Sequence, residues 1–249
     1  MQRIFFALLL GLTLHAVQAQ DWAKARLEKS PRRRERVTVQ KDGGEIPALV
    51  IYPETKDKKP VIVLIHDKDG ITDWFESFAD QLAAMGYVVL APNLLSGASL
   101  PGDKPVIKEL NAVADYAAKL PSSNGILFTA GIGWGGAQSF RFAADRPDLA
   151  AALVICGASP DKDSITRVKA SVFGFYASKD ADVNATVPPA QTAAKDAGVV
   201  FEAVTYDGVG PGFLEAGDAP DGGKTDKLTR GYALERIKSV LDMVALRGY

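Results

Sequence analysis

An alternation of short apolar runs with amphipathic segments, beginning near residue 60, constrains the fold most strongly. PVIVLIH, residues 60–66, is a continuous apolar run, which is typical of a strand buried on both faces of a parallel sheet. Residues 72–86 then carry apolar side chains at helical spacing, and Thr72 is a candidate N-cap. The alternation continues to a last helix predicted over 224–246. It predicts a doubly wound, mostly parallel α/β sheet with helices on both faces.

The remaining predicted elements complete this sheet. A hairpin of two strands precedes it, with a turn signal at residues 42–44. The predicted strands cover 36–40, 46–52, 60–66, 87–92, 125–130, 151–156, 170–176 and 199–206, and further helices cover 110–120, 137–144 and 189–197. Ligand sites of such sheets lie outside the carboxyl ends of the strands. We therefore expect the loops 66–73, 92–105, 131–136, 177–187 and 207–222 to converge on one rim.

The first 19 residues have the pattern of a secretory signal peptide. Arg3 precedes an apolar run over 4–14, and small residues follow at Val17 and Ala19. The run is too short to span a bilayer, which takes roughly 20 apolar residues. We expect cleavage before Gln20, export to the periplasm or the outside, and no stable membrane insertion afterwards. An uncleaved anchor is the alternative.

Two further regions follow the predicted signal. Residues 20–35 are polar and charged, which favours a solvated lead-in over a docking patch. Residues 36–249 then form a single domain, since 249 residues suit one large α/β unit.

The composition excludes several classes of function. A net charge of -1 gives no broad basic field for nucleic acid. The single cysteine, Cys156, rules out an intramolecular disulfide and a multi-cysteine metal site. Asp67, Asp69 and Asp73 are spaced unlike a calcium-binding EF-hand loop, and no phosphate-binding loop occurs. We therefore expect no metal and no cofactor, and protein partners stay unassigned.

The strongest local motif is Gly-Ile-Gly-Trp-Gly-Gly over residues 131–136, between a predicted strand and a predicted helix. This is the placement of a nucleophile elbow, a sharp turn that raises a central side chain above the sheet. The central residue here is Gly133, which has no side chain. Glycine relaxes the strain of such a turn, and the backbone N–H of Trp134, one donor of an oxyanion hole, is retained.

Several motifs together resemble the dienelactone hydrolase family of the α/β-hydrolase superfamily. They are IHDKDGITDWFESFADQLAAMGYVVLAPNLLSG, GIGWGGAQSFRFAADRPDLAAALV, FYASKDADVNATVP and YDGVGPGF, in the family's order of nucleophile, acid and base. The resemblance implies an α/β-hydrolase fold and a carboxylic-ester or lactone hydrolase with a catalytic triad. Carried over by position, Gly133 replaces the nucleophile, Asp180 retains the acid, and Pro211 replaces the histidine. Asp67 stands where the family usually has glutamate.

Two of the three triad groups are therefore missing. Acyl transfer needs a nucleophilic side chain and an imidazole that moves its proton, and neither glycine nor proline supplies one. His66 could act as a base, but it lies on a different loop from the family's histidine, which favours a hydrogen-bonded histidine that braces the loop 67–70. Cys156 and Ser139 are more typical of buried, inert positions, and Asp180 could simply cap its loop.

Three functions follow from the sequence. The first is an inactive pseudoenzyme with a small-molecule pocket for a carboxylate or carbonyl ligand, contacted by His66, Asp67 and Trp134. The second is an active or weakly active hydrolase with a rewired site. The third is a structural or partner-binding protein of the cell envelope. A fold alone does not decide between them.

Overall fold

A computed structural model describes residues 20–95 and 103–247, the first three of the second range by backbone alone. The predicted signal peptide therefore lies outside the described residues, as do residues 96–102 of the loop predicted at 92–105 and the last two residues of the chain. The strands are β1 (Arg34–Lys41), β2 (Gly44–Ile51), β3 (Lys59–Ile65), β4 (Val88–Pro92), β5 (Ser123–Ile132), β6 (Leu149–Ile155), β7 (Ser171–Ala177) and β8 (Phe201–Tyr206). The helices are α1 (Asp21–Lys29), α2 (Asp73–Ala84), α3 (Asp103–Ala118), α4 (Trp134–Asp145), α5 (Lys162–Ile165), α6 (Ala181–Asn184), α7 (Val187–Ala197), α8 (Phe213–Asp218) and α9 (Lys224–Arg247).

The eight strands form one sheet in the order β1-β2-β4-β3-β5-β6-β7-β8. Strands β3 to β8 pair in parallel, whereas β1 pairs with β2, and β2 with β4, in antiparallel register. Parallel strands joined by helical crossovers need cover on both faces, and their apolar runs fit that burial. The predicted doubly wound sheet and its leading hairpin are confirmed.

Two apolar cores lie on opposite faces of the sheet. One core holds buried side chains of α2 and α9, including Phe75, Phe78 and Ile237. The other holds buried side chains of α3 and α4, including Leu110 and Phe140. Thr72 caps α2 as predicted, because its side chain accepts a hydrogen bond from the backbone N of Phe75.

The segment 20–35 is not a solvated lead-in. It contains α1, whose Ala23 and Leu27 are buried against the body of the protein. Arg26 donates to the Asp218 carboxylate over 2.8 Å. Arg32 binds Asp80 in a two-point contact, Nε to Oδ1 at 2.9 Å and Nη2 to Oδ2 at 2.7 Å. The prediction of a solvated lead-in was wrong because part of the segment packs against the domain, where two of its arginines bind carboxylates, Arg26 with 39% of its side chain still exposed.

Helix α3 also begins seven residues earlier than the 110 predicted from the sequence. Among the described residues, no helix is both long and apolar enough to cross a membrane.

Candidate functional site

The turn between β5 and α4 has the geometry of a nucleophile elbow. Gly133 adopts φ 56° and ψ -118°, a backbone conformation that favours glycine. Gly135 lets the helix approach the sheet, because a Cβ there would lie 2.3 Å from the carbonyl O of Ile65. The sharp turn is therefore preserved although its central side chain is absent.

The Asp67 carboxylate lies directly over the elbow. A Cβ built on Gly133 would lie 2.3 Å from Asp67 Oδ2 and 2.5 Å from its Cγ. Asp67 Oδ1 accepts hydrogen bonds from the backbone N of Trp134 at 2.9 Å and of Lys68 at 2.8 Å. The carboxylate therefore fills the space that a nucleophile would need and occupies the retained oxyanion donor.

His66 is completely buried and both of its ring nitrogens are engaged. The backbone N of Leu94 donates to Nε2 over 3.0 Å, so Nε2 is unprotonated. Nδ1 then carries the proton and donates to the Asp67 carbonyl O at 2.7 Å. Burial lowers the pKa of His66, which keeps the ring neutral. This geometry supports the bracing role and leaves no ring nitrogen for a ligand.

Trp134 lies against His66 and does not line the cavity beside the elbow. The two rings stack with centroids 5.9 Å apart and planes 28° apart. Its backbone N is already bound to Asp67, as described above. The contribution of Trp134 is thus to pack the loop rather than to contact a ligand.

Asp180 follows β7 and caps the short helix α6. Its Oδ1 accepts from the backbone N of Val183 at 3.4 Å. The loop of Asp180 is joined to that of Pro211 by a hydrogen bond from the Lys179 N to the Val209 O, at 3.0 Å. The acid and base positions of the family thus lie on adjacent loops, and among the described residues the Asp180 side chain makes a capping hydrogen bond alone.

The other nucleophile candidates are inert. Cys156 is 4% exposed, and its thiol lies 3.6 Å from the Phe175 carbonyl O. Burial, with the negative charges of Asp180 and Asp67, raises the pKa of the Cys156 thiol to about 12. Ser139 is fully buried and donates to the carbonyl O of Leu153 at 3.1 Å. Neither side chain is an accessible nucleophile at neutral pH.

A cavity of about 270 Å³ opens beside the elbow. It is lined by Gln20, Asp67, Asp69, Gly70, Thr72, Trp74, Phe75, Ile132, Gly133, Pro211, Gly212, Leu214 and Glu215. Three of the predicted site residues, Asp67, Gly133 and Pro211, belong to this wall, whereas His66, Trp134 and Asp180 do not. The wall draws on three of the five loops that were expected to converge.

The cavity wall is acidic. Asp67, Asp69 and Glu215 contribute carboxylates, and none of the described lining residues is Lys, Arg or His. Burial, with the charges of Asp69 and Asp218, raises the pKa of Glu215, against a hydrogen bond from Gln20 that lowers it. A negatively charged ligand would therefore meet repulsion here, contrary to the carboxylate pocket expected from the sequence.

The sequence did not predict ligand contacts at Asp69, Trp74, Gln20 or Glu215, which all belong to this wall. Asp69 stands out in the sequence only by its spacing from Asp67 and Asp73, and Trp74 lies in the segment predicted as a helix over 72–86. Gln20 and Glu215 carried no signal, because their side chains meet across 195 positions of sequence. Among the described residues, no group of three or more His, Cys, Asp or Glu side chains is arranged to hold a metal ion.

A larger groove of about 1000 Å³ lies elsewhere, between β1 and α3. Its wall contains none of the predicted site residues and no residue of the elbow. The cavity at the elbow is therefore the candidate site.

The sheet, the elbow and the order of the site positions define an α/β-hydrolase fold. The chain matches the model of the Dienelactone hydrolase family over residues 46–112 and 99–245. It belongs to that family.

Relatives of known sequence or structure agree with this assignment. A Salmonella typhi protein named "Putative carboxymethylenebutenolidase" is 27% identical over 223 residues, covering 74% of this chain and 82% of that protein. The structure of a dienelactone hydrolase-like promiscuous phosphotriesterase from metagenomic libraries matches with a TM-score of 0.75. The two chains are 16% identical, and the match covers 86% of this chain and 98% of the other. A Pyrobaculum calidifontis esterase has a TM-score of 0.72 with 18% identity, covering 94% of each chain. At these identities the two structures show a shared fold.

Proposed function

We propose that this protein is an exported, non-catalytic member of the dienelactone hydrolase family that binds a small molecule beside a filled catalytic centre. The position of the Asp67 carboxylate carries the proposal. It covers the face of Gly133 and takes the Trp134 N–H, so the centre has neither a nucleophile nor a free oxyanion donor. His66 cannot replace the missing base, because both of its ring nitrogens are bonded.

The acidic cavity favours neutral or cationic ligands over anions. Asp67 Oδ2 accepts no hydrogen bond from the described residues, so it is available to a ligand donor. The aromatic side chains of Trp74 and Phe75 supply apolar contact area in the same wall. The proposed ligand is therefore small, carries at least one hydrogen-bond donor, and has no negative charge. A neutral carbonyl compound that also has such a donor fits this description.

The absence of catalysis is tested by ester and lactone hydrolysis with purified residues 20–249. We expect the rate for p-nitrophenyl acetate and for a simple lactone to equal that of buffer. Asp67→Asn is the site variant, and Asp182→Asn, on the exposed helix α6, is its matched control. The proposal would be contradicted if the unmodified chain turned over substrate, if Asp67→Asn reduced that turnover at least tenfold, and if Asp182→Asn left it unchanged.

That contradicting result would support the second function, a rewired hydrolase. The specific observation in its favour is the unpaired Asp67 Oδ2 at the cavity wall, where a carboxylate could accept a proton from water. Membership of a hydrolase family makes this the natural competitor.

Binding is tested by thermal unfolding with three probes of similar shape: benzylamine, benzyl alcohol and benzoate. We expect stabilisation by the first two probes and none by benzoate. Gly212→Phe fills the cavity and should abolish the shifts, since a Cβ at Gly212 meets open space. Gly210→Phe, two residues away and outside the wall, is the control and should retain them. Equal shifts in both variants would place binding elsewhere.

A further inference from the structure

Gln20, the residue after the predicted cleavage position, is part of the cavity wall. Its side-chain Oε1 accepts from the backbone N of Trp74 at 3.1 Å, and its Nε2 donates to Glu215 Oε1 at 2.9 Å. Its carbonyl O accepts from the backbone N of Ala23 at 2.8 Å, in the first turn of α1. The side chain and the carbonyl group of Gln20 are thus both held, so this residue has a fixed place in the cavity wall.

Helix α1 anchors this arrangement to the domain. Ala23 and Leu27 are buried, and Arg26 binds the Asp218 carboxylate, which is 4% exposed. Asp218 ends α8, the helix that also carries Glu215. The segment that begins at Gln20 is therefore docked against the same element that forms one side of the cavity.

The cavity lacks a positive counter-charge among its described lining residues. Asp67, Asp69 and Glu215 all belong to its wall, and burial, with the nearby charges of Asp69 and Asp218, raises the pKa of Glu215. An added positive charge at the edge of the wall would lower the electrostatic free energy of the site.

We propose that cleavage between Ala19 and Gln20 places the new α-ammonium group at the edge of this cavity, where it pairs electrostatically with Glu215 and Asp69. Water breaks the peptide bond between Ala19 C and Gln20 N, leaving a carboxylate on Ala19 and an amine on Gln20 that takes up a proton. Before cleavage the same nitrogen is an uncharged amide. This inference rests on the export step of the proposed function. Cleavage of the signal peptide then adds one positive charge at the cavity.

The test compares two forms of the chain that differ only at the N-terminus. One begins with Gln20, released from a fusion by a protease that cuts directly before it, and the other carries Gly-Ser-Gly ahead of Gln20. Pairing with carboxylates should raise the α-amino pKa above its ordinary value. The resulting stabilisation is fully present below about pH 7.7. It is lost as the pH rises through the raised pKa.

We therefore expect the Gln20-first form to melt about 2 to 4 °C above the extended form at pH 7. The difference should disappear near pH 10, where the amine is neutral. Glu215→Gln should remove most of it at pH 7, whereas Glu235→Gln, an exposed carboxylate on α9, should leave it unchanged. Equal melting of the two forms at both pH values would overturn the inference, and so would a difference that Glu215→Gln does not change.

Export is checked separately. The full chain, residues 1–249, is expressed in an export-competent bacterium, and the intact mass of the periplasmic product is measured. A mass that begins at Gln20 supports the export step. Retention in the cytoplasm contradicts export, and a periplasmic product with any other first residue contradicts cleavage before Gln20. Either result leaves the comparison of the two purified forms valid.

Discussion

At the scale of single residues, the site is decided by Gly133 and Asp67 acting together. The glycine opens space above the elbow and the aspartate fills it. The sequence indicated the loss of the nucleophile and the exchange of glutamate for aspartate, because both lie in recognisable motifs. It could not indicate that the Asp67 carboxylate would bind the Trp134 N–H, since that contact joins residues 67 positions apart.

The first prediction concerns this pair. Gly133→Ala should lower the free energy of unfolding by about 1–3 kcal/mol from backbone strain alone. The clash with Asp67 adds a further loss, because the new Cβ would lie 2.3 Å from Oδ2. Gly43→Ala is the control, since Gly43 also has positive φ (79°) but open space around its Cβ position. Urea denaturation gives both values.

The two effects separate in a double variant. Asp67→Gly should recover the clash component in the Gly133→Ala background and leave the strain component. If Gly133→Ala costs no more than Gly43→Ala, the carboxylate does not occupy the space above the elbow in solution.

The second prediction concerns His66, the only histidine from residue 20 onward. Its pKa is lowered by burial, so the unfolded chain binds a proton at about pH 6.5 that the folded chain does not bind. Stability should therefore fall as the pH drops below about 6.5, by at most about 1.4 kcal/mol per pH unit, until the pH reaches the folded-state pKa.

His66→Gln removes this dependence. The variant should be less stable than the parent at pH 7.5, and the gap should narrow between pH 6.5 and pH 5. Urea unfolding at these pH values compares the two chains directly, so that the titration of carboxylates cancels. A gap that stays constant would mean that His66 is not held neutral.

At the scale of helices and strands, the sequence predicted the central elements well because their apolar patterns are continuous. Every predicted strand exists, with ends shifted by a few residues. The sequence did not predict helices α5, α6 and α8, because four to six residues cannot show a helical period. Helix α1 was not predicted for a different reason. Its buried residues, Ala23 and Leu27, are isolated among charged neighbours whose partners lie far along the chain.

The third prediction tests whether those charges dock the segment. Arg32→Ala should destabilise the protein by about 3–5 kcal/mol, because Asp80 would be left as an uncompensated buried charge. Asp80 is 1% exposed and receives two hydrogen bonds from the guanidinium group. Arg33→Ala, the neighbouring arginine, should cost no more than about 1 kcal/mol, because its ion pair with Glu35 is largely exposed. Denaturant unfolding of the two variants measures both losses of stability. Equal losses for Arg32→Ala and Arg33→Ala would argue against docking by Arg32.

At the scale of the whole molecule, the sheet and the elbow have the geometry of the fold, although Gly133 and Pro211 occupy two of the positions that match the family's triad. The buried strands are stabilised by apolar contacts on both faces, and these contacts do not involve residues 133 or 211. The fold and the loss of the triad were therefore both predictable from local sequence patterns. The acidic character of the cavity was not, because it arises from Asp67, Asp69 and Glu215 on loops that only the fold brings together.

The fourth prediction asks whether the scaffold still supports a triad. Restoring Gly133→Cys and Pro211→His alone should give little ester hydrolysis, because the cysteine would collide with the Asp67 carboxylate that also blocks the Trp134 N–H. Adding Asp67→Gly frees both the space and the donor. The triple variant should then exceed the double variant at least tenfold in kcat/KM for p-nitrophenyl acetate.

Asp180 decides how such a gain is interpreted. If it completes the triad from its loop after β7, Asp180→Asn in the triple variant should lower kcat by about 10⁴-fold, or to background, through loss of the orienting partner of the histidine. Asp182→Asn, exposed on α6, should have no such effect. A folded triple variant without activity would contradict the idea that only three side chains separate this scaffold from catalysis. Loop positions around residues 180 and 211 would then also differ from those of a working triad, so that the geometry of these loops, as well as the three side chains, would prevent triad catalysis.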